Sequence, residues 1–319
     1  MSTPSAKTAA ATREITFAQA VREALAEEMR ADPTVFIIGE DVAEAGTVFK
    51  VLSGLVEEFG KDRVIDSPIS EAGITGLAVG AAMTGLRPVV DIMFGDFMAL
   101  VMDQLCNQAA KVRYMSGGKL KVPMVVRTTL GATRRSAAQH SQSLHAWVSH
   151  VPGLKVVLPS TPSDAKGLLY EVMNLAVLWQ LPVIFGVADV KREGTDVTIV
   201  ATSSMVQVAL AAAERLAGIE ISAEVVDPRT TVPLDTGTLI ASVKKTGRAI
   251  VVDEGYQRYG VTAEIAAVIA EGAFHHLEAP VRRLGAMDVP VPFSPVLEDL
   301  TVPTPERVVE VAKALCNRT

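Results

Sequence analysis

The chain has 319 residues, 49% of them hydrophobic, with a mean hydropathy of +0.31 and a net charge of −6. That length and apolar share suit two folded domains with real cores and exclude a disordered chain. An acidic balance without a Lys/Arg cluster argues against nucleic acid, and no uncharged apolar run reaches the roughly 18–20 residues of a membrane span. Two distant cysteines, Cys106 and Cys316, give neither zinc spacing nor a disulfide framework, which fits a reducing cytoplasm.

Residues 1–13 are small, polar and free of acids, and read as a flexible tail. Thr16-Phe17-Ala18-Gln19 has the form of a capping box opening a helix, with Phe17, Val21, Ala24, Leu25 and Met29 at helical spacing. Val35–Gly39 is a short apolar strand ending in Glu40-Asp41. A helix is expected over 70–85, where Gly73, Gly76 and Gly80 permit close approach of a neighbour. A strand over 88–94 is followed by a long helix from about 97 to 113, stopped near Ser116-Gly117-Gly118.

Strands are expected over 122–129 and 155–158, then a helix from about Ser163. Residues 172–190 read as a buried helix and a following strand, and the charged stretch 189–196 as a break between halves. The pattern then restarts, with strands over 197–202, 223–226 and 249–252 and helices near 206–216 and 239–245. A proline-rich arm over 289–295 leads to a last helix near 305–315. Strands alternating with helices predict an α/β protein with two domains, each a mainly parallel sheet flanked by helices. The expected units are a tail over 1–13, a first domain over 14–188 and a second over 189–319.

Ligand sites in parallel sheets form at the carboxyl ends of strands. Four polar clusters are placed there: Gly39-Glu40-Asp41, Ser70-Glu71-Ala72-Gly73, Gly95-Asp96-Phe97 and Gln139-His140-Ser141-Gln142-Ser143. No GxGxxG follows a strand, and Walker and GxSxG sequences are absent, so dinucleotide binding, P-loop chemistry and serine hydrolysis lack their hallmarks. His140, among small and polar residues, suits acid–base work, although a lone loop histidine more often caps a turn. Glu71 has two readings as well. The helix dipole favours its anion while Ile69 and Ile74 favour its neutral acid, and on position alone a helix-start acid is the commoner role.

Further segments join these clusters in order: Asp66-Ser67-Pro68-Ile69-Ser70-Glu71-Ala72-Gly73-Ile74, Asp91-Ile92-Met93-Phe94-Gly95-Asp96-Phe97, Tyr114-Met115-Ser116-Gly117-Gly118, Pro159-Ser160-Thr161-Pro162 and Asp227-Pro228-Arg229-Thr230. As an ordered set spanning residue 14 to the C-terminus, they resemble the beta subunit of two-subunit, thiamine-diphosphate-dependent 2-oxo acid dehydrogenases, a transketolase-like family. Phe94-Gly95-Asp96-Phe97, Ser143-Leu144-His145-Ala146-Trp147, Val252-Asp253-Glu254 and Pro292-Phe293-Ser294-Pro295 lean towards its acetoin branch, beside pyruvate dehydrogenase.

The resemblance implies a pyrimidine-binding first domain and a second domain for subunit and complex assembly. It implies that Glu71 exchanges a proton with N1′ of the cofactor's aminopyrimidine, that Phe97 packs on that ring with Met93 nearby, and that His140 faces substrate and lipoyl group. The implied reaction cleaves acetoin or decarboxylates pyruvate and transfers the acetyl unit to lipoamide. The family's diphosphate and magnesium signature, GDG followed by an asparagine pair, is missing from this chain. The family carries it on an alpha subunit, so thiamine diphosphate would be shared, Mg2+ would be held by that subunit, and no metal ligand is expected here. The implied partners are the alpha subunit, in an alpha2beta2 heterotetramer, and a lipoyl-bearing acyltransferase core.

The chain departs from the family after Ala165-Lys166-Gly167-Leu168-Leu169, where a short acidic turn, a strand and a long polar hairpin are expected. Here 170–185 runs directly into 186–190, and 172–185 resembles the alpha-subunit segment between the two halves of the magnesium signature. A monovalent-cation site in related beta subunits draws on the replaced turn, so the departure puts that site in question. Two other readings compete: a transketolase-like transferase half, and a non-catalytic assembly subunit. Pro292-Phe293-Ser294-Pro295 with Leu297-Glu298-Asp299 weighs against the first, and retention of Glu71 and His140 against the second.

Overall fold

The computed structural model describes residues 13–132, 134–175 and 187–317. In the first half, α1 (Phe17–Ala31) leads to β1 (Val35–Gly39), α2 (Leu55–Phe59), β2 (Val64–Asp66), α3 (Glu71–Met83) and β3 (Arg87–Ile92). A helical stretch follows, made of a 3-10 turn (Gly95–Phe97), α4 (Met98–Asp103), a π-helical segment (Gln104–Ala109) and α5 (Val112–Met115). Then come β4 (Val125–Thr128), α6 (His145–Ser149), β5 (Val156–Val157) and α7 (Pro162–Leu175). The second half holds β6 (Asp189–Arg192), β7 (Val197–Ala201), α8 (Met205–Ala217), β8 (Ala223–Asp227), β9 (Thr230–Val232) and α9 (Thr236–Thr246). It ends with β10 (Ala249–Tyr256), α10 (Val261–Gly272), β11 (Arg282–Ala286), α11 (Pro295–Glu298) and α12 (Pro305–Leu315).

Local chemistry sets several of these boundaries. The Thr16 hydroxyl accepts from the Gln19 N–H at 3.2 Å, and the Gln19 side chain accepts from the Thr16 N–H at 2.8 Å, the reciprocal capping box that starts α1. Val21, Ala24, Leu25 and Met29 are buried as their spacing predicts; Phe17, in the first turn, is exposed instead. The long helix expected over 97–113 is split. Its middle winds with a wider span, the Ala110 N–H bonding to the Leu105 carbonyl at 2.9 Å. Apolar spacing registers a helical path and is blind to that change of hydrogen-bond span.

The first sheet has strand order β2-β1-β3-β4, all parallel. The second has order β11-β10-β7-β8-β6, parallel except for β6 at one edge. All residues of β1, β7 and β8 are buried because helices cover both faces. On the first sheet α1 and α7 pack one face and α3 and α4 the other; on the second, α8 and α12 oppose α9 and α10.

Two expectations are corrected here. The strand over 155–158 shortens to β5 and leaves the parallel sheet, pairing antiparallel with β9. The charged stretch taken as a break begins with β6, an edge strand whose Lys191 needs its charge for Asp164 (2.9 Å) and Asp189 (2.7 Å). β2, α10 and β11 were not anticipated. Of the helix and strand expected over 172–190, α7 ends at Leu175 and β6 begins at Asp189. Residues 176–186, which carry most of the family departure, lie outside the described residues.

β5 and β9 tie the halves together. The Leu158 N–H donates to the Arg229 carbonyl at 2.8 Å, and the Ser149 and Thr231 hydroxyls are 2.8 Å apart.

Candidate active site

The four parallel strands of the first sheet deliver their carboxyl ends to one edge. The segments leaving that edge carry Glu71 after β2, Glu40 after β1, Met93 to Phe97 after β3 and the His140 loop after β4. Glu71 is the first residue of α3 and is 8% exposed. Its carboxyl has no hydrogen-bond partner among the described residues. The Ser70 N–H at the helix start donates to Glu40 Oε1 at 3.2 Å. Burial and the adjacent charge of Glu71 push the Glu40 carboxyl above its usual range. Ile74 is buried in the apolar cluster that Phe97 also joins. Ile69, expected beside Glu71, is 83% exposed, because it lies in the extended bend before α3 and faces away from the core.

The exit of β3 is pinned to the exit of β4. The Thr129 hydroxyl donates to the Met93 carbonyl at 2.7 Å, and the Gly95 N–H to the Thr129 carbonyl at 2.7 Å. This turn presents Phe94 and Phe97 to His140. The imidazole centroid lies 4.7 Å from the Phe94 ring and 5.4 Å from the Phe97 ring, edge to face in both pairs. Phe49 completes the row, 5.6 Å from Phe94. Such contacts contribute about 0.5–1.5 kcal/mol each and fix ring orientation. Met93 is half-buried on the same turn.

The loop carrying His140 is strained and anchored. Arg135 (φ 59°) and Ala137 (φ 62°) are left-handed, a conformation costing roughly 1–2 kcal/mol for an L-residue. Arg135 pays that cost where its guanidinium meets the fully buried Glu298 and, at 2.7 Å, Asp299. Two residues beyond His140, Gln142 donates to Asp96 from its N–H at 3.2 Å and from Nε2 at 2.9 Å. The Ser141 and Ser143 hydroxyls are buried without a partner among the described residues, as is the Thr75 hydroxyl one turn along from Glu71.

These groups fit the pyrimidine end of thiamine diphosphate: a partnerless carboxyl, an aromatic face and unsatisfied hydroxyls. Among the described residues, no cluster of three or more His, Cys, Asp or Glu could hold a metal ion.

Residues 13–185 match the transketolase pyrimidine-binding domain and 186–308 the transketolase C-terminal domain. The acetoin:2,6-dichlorophenolindophenol oxidoreductase subunit beta of Bacillus subtilis (strain 168) is 46% identical, covering 95% of this chain and 97% of its own. The pyruvate dehydrogenase E1 component subunit beta of Rickettsia felis is 46% identical, covering 95% and 98%. The chain belongs to the transketolase-like beta subunits of the thiamine-diphosphate-dependent dehydrogenases. A mitochondrial beta subunit of pyruvate dehydrogenase E1 from Oryza sativa subsp. japonica is 44% identical, covering 97% and 88%. The Bacillus alignment runs over 333 residues, more than this beta subunit has, so it lacks residues present in that relative. A split-gene transketolase solved as an inactive beta4 tetramer shares the fold, with a TM-score of 0.76 over 95% of this chain and 98% of that one at 22% identity. Among the described residues of this beta subunit, no helix is long and apolar enough to cross a membrane.

The structure thus brings His140 and Phe97 together and places Glu71 and Met93 on the same sheet edge. Sequence reasoning missed Phe94, which touches both rings although it stands in the quoted Phe94-Gly95-Asp96-Phe97 run. It also missed Glu40 as the neighbour of Glu71. The carboxyl-edge rule had singled out that residue's cluster without pairing it.

Proposed function

We propose that this beta subunit works with an alpha subunit, as an alpha2beta2 heterotetramer in the cytoplasm, in the first component of an acetoin- or pyruvate-type dehydrogenase complex. It would cleave acetoin or decarboxylate pyruvate and pass the acetyl unit to lipoamide on an acyltransferase core. The observation that carries this reading is the buried Glu71 carboxyl, without a hydrogen-bond partner among the described residues, on the sheet edge that also presents Phe97 and His140.

Bound thiamine diphosphate supplies an electron sink for breaking a carbon–carbon bond beside a carbonyl. Glu71, buried at the start of α3, holds or gives a proton at N1′ of the aminopyrimidine. Glu40 lies beside it, its own carboxyl raised by burial and by the charge of Glu71. Phe97 offers its ring to the pyrimidine, and Met93 lies on the same turn. His140, gripped edge-on by two phenyl rings, moves a proton at the substrate oxygen and at the acetyl carbonyl during transfer. Diphosphate and Mg2+ are assigned to the alpha subunit, because the GDG-and-asparagine signature is missing from this sequence.

Co-expression with an alpha-type partner, followed by assay of thiamine-diphosphate-dependent turnover of acetoin and of pyruvate, tests the reading. Cofactor-dependent turnover of one of them is expected; none with either would overturn it.

A further inference from the structure

The His140 loop ends in α6, and the first residue of α6 crosses the joint between the two halves. His145 is 5% exposed, and its Nε2 lies 3.1 Å from Oδ2 of Asp253 on β10 of the second sheet. That separation is ionic, off the hydrogen-bond line, and neither imidazole nitrogen has a hydrogen-bond partner among the described residues. Asp253 is itself buried, held by the Thr202 hydroxyl and by the Gly255 N–H at 2.8 Å. A buried imidazole with unpaired nitrogens is costly unless its charge is matched, so this contact is built for an ion pair.

Two glycines let the loop come this close. A Cβ on Gly255 would lie 3.3 Å from both the His145 ring and the Ser143 carbonyl oxygen. One on Gly131, where φ is +99°, would press within 2.4 Å of the Glu254 carboxylate. Glu254 faces Arg134 of the same loop, and the Arg134 guanidinium lies 5.3 Å over Phe49, which begins the aromatic row ending at His140. Both ends of the loop therefore rest on β10.

We propose that His145, clasped by Asp253 and flanked by Glu254, is a positioning residue that sets the His140 loop against the second domain for catalysis. The proposal rests on the reading of His140 given above. The charged groups facing His145 are Asp253 and Glu254 from β10, with Arg134 from the loop acting on Glu254. Burial alone would push the imidazole down, but Asp253 and, further out, Glu254 outweigh it and raise it. Burial pushes Asp253 up, and His145, the Thr202 hydroxyl and the Gly255 N–H together bring it below its usual range.

A raised histidine contributes fully below about pH 6.5 and is lost as pH rises through its folded value; a lowered aspartate contributes above about pH 3.9 and is lost in acid. The clasp is therefore complete between those limits and opens on the alkaline side.

The test uses the reconstituted alpha–beta complex, comparing His145→Gln, Asp253→Asn and Asp253→Glu. His145→Gln should lower kcat about 10- to 100-fold, with KM changed less than about 3-fold, and remove the alkaline limb of the kcat profile assigned to His145. Asp253→Asn should move that limb down by about 1–3 pH units, and Asp253→Glu should restore it. A second readout needs no turnover. In the full chain carrying Trp179→Phe, Trp147, two residues beyond His145 and half exposed, should show a fluorescence titration that moves with Asp253→Asn. Loss of activity with an unmoved limb and an unmoved Trp147 titration would make the pair merely structural and overturn the proposal. An inactive wild-type complex would overturn the reading of His140, while the Trp147 titration would still decide the clasp.

Discussion

Replacing Arg135 by alanine measures how firmly the His140 loop is anchored. Its guanidinium meets Glu298, whose side chain is 0% exposed, and Asp299, whose side chain is 57% exposed. Removing one partner of a fully buried pair costs about 3–5 kcal/mol. Here the Arg135 side chain is itself 37% exposed, so water can enter the vacated space, and its N–H still reaches Glu298 at 3.3 Å. Both reduce the cost, and the exposed pair to Asp299 adds at most about 1 kcal/mol. About 2–3 kcal/mol of local destabilisation is expected, equal to a roughly 30- to 150-fold faster amide exchange over 134–144 at fixed pH. Arg135→Gly loses the same pair but relieves the left-handed backbone by about 1 kcal/mol, so its exchange should be about five-fold slower than that of Arg135→Ala. An increase below about 3-fold for Arg135→Ala, or equal exchange in the two variants, would refute the anchoring argument.

Lys191→Met should destabilise the chain by about 3 kcal/mol in urea unfolding, because Asp164 and the fully buried Asp227 lose their shared cation. That deficit should shrink in acid, since burial already raises Asp227 and protonation relieves it; a deficit constant with pH would contradict the assignment. Phe94→Ala should lower kcat about 10-fold and leave cofactor affinity nearly unchanged, because the Phe94 ring packs on His140 and orients it. Equal losses in both would place Phe94 against the cofactor. His140→Ala should slow acetyl transfer to lipoamide by about 100-fold or more with cofactor binding intact, and a matching loss of cofactor affinity would remove its assigned role.

Much of the site is legible in the sequence because it is local. Glu71 at a helix start, Phe97 after a strand and His140 in a polar loop each follow a strand end, and the tendency of parallel sheets to bind ligands at the carboxyl ends of their strands gathers these residues without any knowledge of contacts. The capping box at Thr16 and the last helix, Pro305–Leu315, were legible for the same reason. What escaped depends on partners distant along the chain. Nothing near His145 announces Asp253, and nothing near Arg135 announces Glu298. The charges of 189–196 were taken for a break between the halves because the counter-charges of Lys191, Asp164 and Asp227, belong to other elements. The π-helical segment escaped because hydrophobic spacing cannot report hydrogen-bond span. Ile69 misled because proximity in sequence to Glu71 was taken as proximity in packing.

The most direct measurement is hydrogen–deuterium exchange at the thiazolium C2 position of thiamine diphosphate bound to the reconstituted complex, comparing wild type with Glu71→Gln. If Glu71 moves the pyrimidine proton, the substitution should slow C2 exchange by about 100-fold or more while the heterotetramer still assembles. Unchanged C2 exchange in an assembled, cofactor-loaded Glu71→Gln complex would contradict the role given to Glu71.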